Sequence, residues 1–483
     1  MTSKHSTRGA ALLATLTVFT ALAAPTAPDE AVFRKHLATL ASDEFEGRKP
    51  ATRGEEKTVK YISEQFAAAG LKPGNAGEWF QQVPLVEITA DPDTRMTFER
   101  AGKPAISLAY GDDTVVWTKR VVPQSALAAS ELVFVGYGIV APEFGWNDYA
   151  GLDMRGKTAV ILINDPGFVT QDPKLFNGRA MTYHGRWTYK YEEAARQGAA
   201  GALIIHDTEP AAYGWDVVVT SWTGPQLDKD SADGNASRVA IEGWITGASA
   251  EKLFALAGQD LAALKKAATQ RGFKPIALET RASVEVKNAI RRSNSANVIG
   301  ILPGAKRPDE YVLYVAHWDH LGRSVAFTGD TIFNGAVDNA TGIAAMLTMA
   351  KQFASAQPAP ERSIVFLAVT AEEAGLLGSA YYADNPIYPL KNTVAVMNMD
   401  ALPPGGPTRE VSVMGYGSSE LEDYLKAAAA KQDRIIKAEP TPEKGFYYRS
   451  DHFNFAKQGV PSFYADAGTE VIGKPADFAM KQR

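Results

Sequence analysis

The amino-acid sequence predicts an α/β protein in which helices sandwich a mixed, mostly parallel sheet and a β-rich unit is inserted. The chain has 483 residues, 45% of them hydrophobic, which is enough for more than one core. In its last third, short continuous runs of apolar residues are separated by segments in which apolar residues recur at helical spacing. Such runs are typical of strands buried on both faces. They are residues 311–316, 364–369, 394–399 and 463–465.

The first 24 residues have the pattern of a signal peptide. Lys4, His5 and Arg8 precede an apolar run over residues 9–24, which ends in small residues that suit signal peptidase cleavage. A membrane anchor is the alternative, but about 15 apolar residues fall short of the roughly 20 that span a bilayer. No later uncharged run is long enough. We therefore expect an exported protein, secreted or periplasmic, with no transmembrane segment.

The rest of the chain divides into three regions, residues 29–118, 119–285 and 286–483. The first contains an apolar period of helical spacing that ends at Gly70. The second contains three strand-like runs with a helical stretch between two of them. The polar residues 291–295 follow it and indicate a linker. We therefore predict that the middle region is inserted between two parts of one domain.

Composition and charge exclude several classes of protein and of site. Lys and Arg total 50 and Asp and Glu total 55, so the net charge of −5 provides no basic field for a nucleic acid. Cysteine is absent, which rules out disulfides, thiolate nucleophiles and every Cys-based metal site. Any metal ion must therefore be held by the seven histidines and by carboxylates.

Charged side chains follow three of the predicted strands at the point where each strand ends. In open α/β sheets, ligands bind beyond the carboxyl ends of the strands, so we expect these side chains to share one crevice. In chain order they are His317, Asp319, Glu372, Glu373 and Asp400.

Asp338 opens the helix between the first two strands and can reach the same edge. On its own it would be a helix cap. Together with the other carboxylates it indicates a pair of divalent metal ions, because converging negative charges would otherwise repel one another. Imidazole and carboxylate donors without thiolates suit zinc, with manganese or cobalt as alternatives.

The adjacent residues Glu372 and Glu373 suggest two different roles. Neighbours at a strand end point in different directions, so Glu373 would bind metal. Glu372 would then take a proton from the attacking water and pass it to the leaving amine. Asp319 is placed to orient the imidazole of His317. His320 either contributes to this site or only packs against it.

Four motifs in this order resemble those of the co-catalytic zinc aminopeptidases, a metallopeptidase family that includes bacterial secreted aminopeptidases, glutamate carboxypeptidase II and the transferrin receptor. They are Ala-His-Trp-Asp-His at 316–320, Val-Asp-Asn-Ala-Thr-Gly at 337–342, Thr-Ala-Glu-Glu-Ala-Gly at 370–375 and Asn-Met-Asp at 398–400. Residues 40–48 look like the family's opening segment, and the inserted region resembles a protease-associated domain. The resemblance implies the zinc exopeptidase fold and a peptide substrate.

The same resemblance implies a role for each site residue. His317 and Asp400 would each complete a different zinc site, Asp338 would bridge the two ions, Glu373 would be a ligand and Glu372 the base. The family's fifth ligand is usually a histidine near the C-terminus, and here no histidine follows His452.

Two explanations of the fifth ligand are open. Either His452 substitutes for it, or the chain is truncated, which we favour because the last 15 residues predict no closing helix or strand. We then expect one zinc ion bound well and a second bound weakly, so that metal analysis gives nearer one zinc than two per chain.

These inferences favour an aminopeptidase that hydrolyses N-terminal residues from peptides. A carboxypeptidase on the same fold is the runner-up, because the same metal centre serves both reactions. A non-catalytic receptor or binding homologue and a glutaminyl cyclase are the alternatives outside the peptidases. The intact Glu372 argues against the receptor, and the bridging Asp338 argues against the cyclase.

Overall fold

The computed structural model describes residues 28–324, 329–403 and 405–482. The predicted signal peptide, residues 1–24, lies outside the described residues. Among the helices within those ranges, none combines the length and the apolar character needed to cross a bilayer.

Helices and strands alternate along much of the chain. The α-helices are Glu30–Leu40, Arg53–Ala68, Pro166–Thr170, Trp187–Arg196, Thr208–Ala211, Trp215–Trp222, Gly247–Leu256, Leu261–Ala268, Thr341–Ser355, Leu377–Asp384, Leu421–Ala430, His452–Ala456 and Phe478–Gln482. The strands of four or more residues are Phe80–Ala90, Arg95–Glu99, Ile106–Ala109, Thr114–Trp117, Gln124–Phe134, Thr158–Leu162, Gly201–Ile205, Pro225–Lys229, Ile241–Ile245, Ile276–Leu302, Arg307–His317, Arg362–Val369, Thr393–Asn398, Glu410–Met414, Ile435–Ala438 and Ser462–Ala467.

The central sheet has four parallel strands in its middle. In spatial order they are Arg362–Val369, Arg307–His317, Thr393–Asn398 and Ser462–Ala467. Antiparallel strands extend the sheet on both sides, with Ile276–Leu302 beside the first of the four and Glu410–Met414 beside the last. The four apolar runs of the sequence fall on the four parallel strands, and the predicted α/β fold with a mixed sheet is confirmed.

Helices cover both faces of the central sheet. Successive strand residues point to opposite faces, and apolar side chains on each face pack against helices. On one face Phe366 and Ala316 pack with the helix Thr341–Ser355 and with two N-terminal helices. On the other face Leu313 and Val315 pack against Tyr382 and other apolar side chains of two further helices. Both faces are therefore dry, and the carboxyl ends of the strands are the part of the sheet that opens to a ligand.

A second sheet forms the β-rich unit, with buried apolar clusters on both of its faces. In spatial order its strands are Ile106–Ala109, Arg95–Glu99, the first half of Ile276–Leu302, Gln124–Phe134, Thr158–Leu162, Gly201–Ile205, Ile241–Ile245 and Thr114–Trp117. Three of these strands precede residue 119, so the predicted boundary at that residue falls inside the unit. The likeness of this unit to a protease-associated domain stays a prediction.

One strand of 27 residues, Ile276–Leu302, joins the two sheets. Its residues up to Lys287 pair within the second sheet, and those from Asn288 onward pair with Phe80–Ala90 of the central sheet. A continuous strand fixes the β-rich unit to the central sheet through ladder hydrogen bonds and not through a flexible connection.

The predicted linker at residues 291–295 is wrong, because these residues lie inside that strand. Their polar character comes from side chains on the exposed surface of the sheet. Arg291 forms an ion pair with Glu87 at 3.0 Å and Arg292 forms one with Asp230 at 2.8 Å. The charged residues that form these cross-strand ion pairs give the segment the polar composition that is typical of a loop.

The expectation that the last 15 residues hold no helix or strand is also wrong. The helix Phe478–Gln482 lies among them, and Val471 forms an isolated β-bridge with Thr408. A five-residue helix is too short to produce a clear apolar period in the sequence.

Replacing Phe366 by alanine tests the packing that holds the helices on the sheet. Phe366 is fully buried and stacks on Tyr314 with ring centroids 5.6 Å apart. We expect the Phe366→Ala change to lower the free energy of unfolding by about 3–5 kcal/mol, because it removes apolar contacts and leaves a cavity. Urea denaturation followed by tryptophan fluorescence measures this loss. The control is Tyr424→Ala, since Tyr424 is 77% exposed and its loss should change stability by less than about 0.5 kcal/mol.

Candidate metal centre

The register of the parallel strands brings the predicted residues to one edge. His317 is the last residue of its strand and lies level with Val369, the last residue of the neighbouring strand. The strand on the other side ends at Asn398. Glu372 and Asp400 follow these two ends within three residues and therefore emerge beside His317.

Two residues at this edge adopt a left-handed backbone. Ala371 has φ 52° and Ala401 has φ 49°. Such a conformation costs an L-amino acid of order 1–3 kcal/mol and is concentrated at functional sites. Each residue adjoins a predicted site residue, Glu372 or Asp400, and turns the chain sharply at the end of its strand.

His317 lies at the centre of a first group of metal-binding side chains. Its Nε2 lies 3.1 Å from Oδ1 of Asp338 and 3.2 Å from Oδ1 of Asp400. Oε2 of Glu372 lies 4.0 Å from the same nitrogen. One donor atom from each of His317, Asp338 and Asp400 lies within 4.8 Å of the others, so one ion could contact all three. The resemblance implied that His317 and Asp400 belong to different zinc sites, and the geometry places them in the same group.

A second group consists of His320, Asp338 and Glu373. Nδ1 of His320 lies 2.5 Å from Oε1 of Glu373. Asp338 belongs to both groups, so the two positions are adjacent and share one carboxylate. His320 was left open by the sequence, where its only signal was its place three residues after His317 in the same segment.

The electrostatics of the site follow from the excess of carboxylates. Burial by itself would lower the pKa of His317, but the charges of Glu372 and Asp400 outweigh it and hold that pKa well above its ordinary value. Burial raises the pKa of the Glu372 carboxyl group well above its ordinary value, against the opposing effect of His317. The raised pKa of His317 therefore reflects the nearby carboxylates, and that of Glu372 reflects mainly its burial.

Asp319 positions the two glutamates. Its carboxylate accepts hydrogen bonds from the backbone N–H groups of Glu372 at 3.0 Å and of Glu373 at 3.4 Å. The predicted contact of this carboxylate with the imidazole of His317 is long, at 3.7 Å. The imidazole Nδ1 instead lies 3.2 Å from the backbone carbonyl oxygen of Asp319. Burial raises the pKa of Asp319 to about 6.

The segment that contains these site residues matches a known protein family. Residues 297–481 match the profile of Peptidase family M28. These residues are a peptidase family M28 domain. All the site residues discussed so far lie within it.

Curated relatives match parts of the chain. Aminopeptidase YwaD of Bacillus subtilis (strain 168) is 38% identical over 210 residues, which are 40% of this chain and 41% of the relative. Aminopeptidase NAALADL1 of Rattus norvegicus is 33% identical over 137 residues, which are 27% of this chain and 17% of the relative. The chain therefore aligns with less than half of the length of these relatives.

A solved structure shares the fold over most of the chain. The aminopeptidase from Aneurinibacillus sp. strain AM-1 superposes with a TM-score of 0.53 at 20% sequence identity. The superposition covers 94% of this chain and 90% of that one. The likeness in fold therefore extends beyond the M28 domain into the β-rich unit and the N-terminal segment.

Arg48 supports the M28 site from outside the matched residues. Its guanidinium is buried and donates hydrogen bonds to the backbone carbonyls of Trp318 at 2.9 Å and of Gly335 at 2.8 Å. Further bonds go to the carbonyls of Leu40 at 2.7 Å and Asn334 at 2.6 Å. Burial lowers the pKa of Arg48 to about 10, against the opposing charges of nearby carboxylates that include Asp319 and Asp338. No pattern in the sequence indicates this role, apart from the place of Arg48 at the end of the family's opening segment.

Asn339 ties the Asp338 loop of the M28 domain to the end of the third parallel strand. Its side-chain nitrogen donates to the carbonyl of Met399 at 3.0 Å. Its side-chain oxygen accepts from the N–H groups of Gly342 at 2.9 Å and of Ala401 at 3.2 Å. The loop and the strand end are thereby fixed to each other on both sides of Asp400.

His452 lies outside both groups of metal-binding side chains found among the described residues. It is fully buried beside Tyr447, with ring centroids 4.8 Å apart. Burial lowers the pKa of His452 to about 3. The segment instead supports Asp400 through Ser450, whose hydroxyl donates to the Asp400 carboxylate at 2.5 Å.

Replacing Arg48 by methionine tests its place under the site. Methionine fills similar space but donates no hydrogen bond, so four carbonyl groups would lose this donor, two of them in buried hydrogen bonds and two in partly buried ones. We expect the free energy of unfolding to fall by about 3 kcal/mol or more. Urea denaturation measures it. Arg53→Met is the matched control, because the side chain of Arg53 is 73% exposed. An equal loss in both variants would contradict the role given to Arg48.

Proposed function

We propose that this chain is a zinc-dependent aminopeptidase that hydrolyses N-terminal residues from peptides. The observation that carries the proposal is the pair of groups around His317 and His320, which share Asp338 and lie beside Glu372. The match to peptidase family M28 and the names of the relatives support a peptidase.

The donor set fits zinc. Imidazole and carboxylate are ligands that zinc accepts, and in each of the two groups one donor atom per residue lies within 4.8 Å of the others. We propose that His317, Asp338 and Asp400 hold one ion and that His320, Asp338 and Glu373 hold the second. When bound, zinc polarises the carbonyl of the scissile bond and lowers the pKa of water.

Glu372 is the proposed proton carrier. It belongs to neither metal-binding group, and its side chain is only 12% exposed. Its carboxylate, whose pKa is raised by burial, would accept the proton of the attacking water and return it to the leaving amine. Asp319 keeps Glu372 in place by accepting the hydrogen bond from its backbone N–H.

An apolar cavity beside the site suits the side chain of the residue to be removed. It has a volume of about 530 Å³, and its wall includes Val337 and Ala401, the chain neighbours of Asp338 and Asp400. The other apolar residues of its wall include Met414, Phe446, Tyr464, Val471 and Phe478. A leucine or larger apolar side chain would bury its surface there, so we propose a preference for apolar N-terminal residues.

Replacing Glu372 by glutamine tests the proton carrier. Glutamine keeps the shape and cannot accept the proton, so we expect turnover of leucine anilide to fall by roughly 100- to 10,000-fold while bound zinc is unchanged. A chromogenic assay and metal analysis measure the two effects. Glu251→Gln is the control, since Glu251 is exposed on a helix of the β-rich unit.

The same assay separates the proposal from its alternatives. Wild-type protein should cleave C-blocked leucyl dipeptides and leave N-blocked ones intact, and a chelator should abolish the cleavage. Turnover within tenfold of wild type in Glu372→Gln would overturn the role of Glu372. Cleavage of only the N-blocked substrates would show a carboxypeptidase instead.

Zinc titration tests the two groups. The first group is more buried than the second, so we expect one zinc ion bound tightly and another bound more weakly, with nearer one than two per chain at low zinc. The His320→Phe variant should keep the tight site and lose the weak one. Competition with a chromogenic chelator measures both affinities. His206→Phe serves as control, because His206 lies far along the chain in the β-rich unit and bonds to the carbonyl of Tyr213. Survival of the weak site in His320→Phe would refute the assignment of His320.

A further inference from the structure

A cavity of about 300 Å³ lies at the carboxyl ends of two parallel strands of the β-rich unit. Leu162 and Ile205 are the last residues of the strands Thr158–Leu162 and Gly201–Ile205, and both line the cavity. In sheets of parallel strands this is the edge at which ligands bind. All residues that line the cavity lie between positions 137 and 269, so it is separate from the metal centre of the M28 domain.

Most of the cavity wall is apolar. A volume of about 300 Å³ is at the lower end of the range for small-molecule sites. At roughly 30 Å³ for each water-sized group, it holds a ligand of about ten non-hydrogen atoms. Val169 is 58% exposed, so its side chain would lose contact with water when a ligand fills the cavity. The apolar side chains and rings of the wall belong to Tyr137, Leu162, Ile163, Val169, Ile205 and Pro210.

A buried lysine holds two sides of the cavity in place. Nζ of Lys190 donates to the backbone carbonyl of Tyr137 at 2.6 Å and to that of Asn164 at 2.8 Å. Tyr137 lines the cavity, and so does Ile163, the chain neighbour of Asn164. Because these two loops are tied together through Lys190, the cavity is preorganised and a ligand need not order it.

The charged residues of the cavity wall leave one positive charge unbalanced. Lys265 and Lys266 lie in the last turn of the helix Leu261–Ala268, and Asp207 faces them across the cavity wall. Nζ of Lys265 lies 3.0 Å from Oδ2 of Asp207, so these two charges balance each other. Lys266 is exposed and forms no ion pair with another residue of the described ranges. An apolar cavity with one free cation beside it is complementary to an apolar group that carries one negative charge.

We propose that this cavity binds a small monocarboxylate with an apolar chain. The chain would be buried against the apolar wall, and the carboxylate would pair with Lys266. The proposed site does not depend on the peptidase function, because it shares no residue with the metal centre.

A carboxylate of this kind can come from two sources. One is a simple carboxylic acid, which would leave the pair of Lys265 and Asp207 undisturbed. The other is an apolar amino acid, whose ammonium group would bind to Asp207. The side chain of Asp207 is 46% exposed and therefore accessible to such a group.

Calorimetric titration of the zinc-loaded protein with straight-chain carboxylates tests the cavity. We expect the affinity to rise roughly two- to fourfold with each added methylene up to a chain of about eight carbons, and then to stop rising because the cavity is full. Octanoate should bind at least threefold more tightly than octanamide, its neutral partner. Octanamide binding as tightly as octanoate would overturn the proposal.

Removal of the zinc separates this cavity from the metal centre, which can also bind carboxylates. The affinity for octanoate should be the same after treatment with a chelator, since no residue of the cavity belongs to a metal-binding group. Octanoate binding that disappears with the zinc would belong to the metal centre and would contradict the proposed site.

Three substitutions of exposed residues locate the binding. Lys266→Gln should weaken octanoate by about three- to tenfold and leave octanamide unchanged. Val169→Asp places a negative charge beside the cavity and should weaken octanoate further. Lys252→Gln is the matched control, because Lys252 is exposed on another helix of the β-rich unit. Wild-type affinity for octanoate in both Lys266→Gln and Val169→Asp would refute the assignment of the cavity.

A pair of matched probes distinguishes the two sources. 4-Methylpentanoate is leucine without its ammonium group. Tighter binding of leucine, lost in Asp207→Asn, identifies an amino acid as the ligand, whereas tighter binding of 4-methylpentanoate identifies a simple acid. Weaker binding of both probes than of 4-methylpentanamide would show that the cavity selects no carboxylate.

Discussion

The accumulation of negative charge around His317 is the constraint on which the rest of the structure depends. Asp338, Asp400 and Glu372 all lie within 4.0 Å of one imidazole nitrogen. Carboxylates so close together repel one another strongly in a partly buried site, and the raised pKa of His317 reflects this. A fold that keeps them there must restrain each loop against that repulsion, and a bound cation would then stabilise the arrangement.

The restraints come from uncharged backbone contacts and from one arginine. The Asp319 carboxylate accepts hydrogen bonds from the backbone N–H groups of Glu372 and Glu373. Asn339 fixes the Asp338 loop to the end of a strand. Arg48 bonds to four carbonyl groups of three different segments and also brings a positive charge near the site. Because these groups bond to the backbone, the carboxylate oxygens stay available for a ligand.

The β-rich unit is joined to the M28 domain by a continuous strand and also contacts it through side chains near the site. The long strand Ile276–Leu302 fixes it to the central sheet, and the ring of Tyr183 packs against Tyr448 and Phe453, on either side of Ser450. These contacts keep the unit at a defined position relative to the metal centre.

The sequence by itself determined the α/β class, the four parallel strands and the residues at their carboxyl ends. Apolar runs report burial on both faces, and parallel strands necessarily end at one edge, so His317, Glu372 and Asp400 could be placed together without coordinates. It failed at residues 291–295, where exposed cross-strand ion pairs have the same composition as a linker, and at the boundary near residue 119. It also could not choose between His320 and His452, because proximity in sequence does not fix the direction of a side chain. Only the tertiary structure decided that His320 joins Glu373 while His452 is buried away from both groups, and only packing between distant segments revealed Arg48. Its role depends on which backbone carbonyls face the guanidinium, and that is a property of the folded chain.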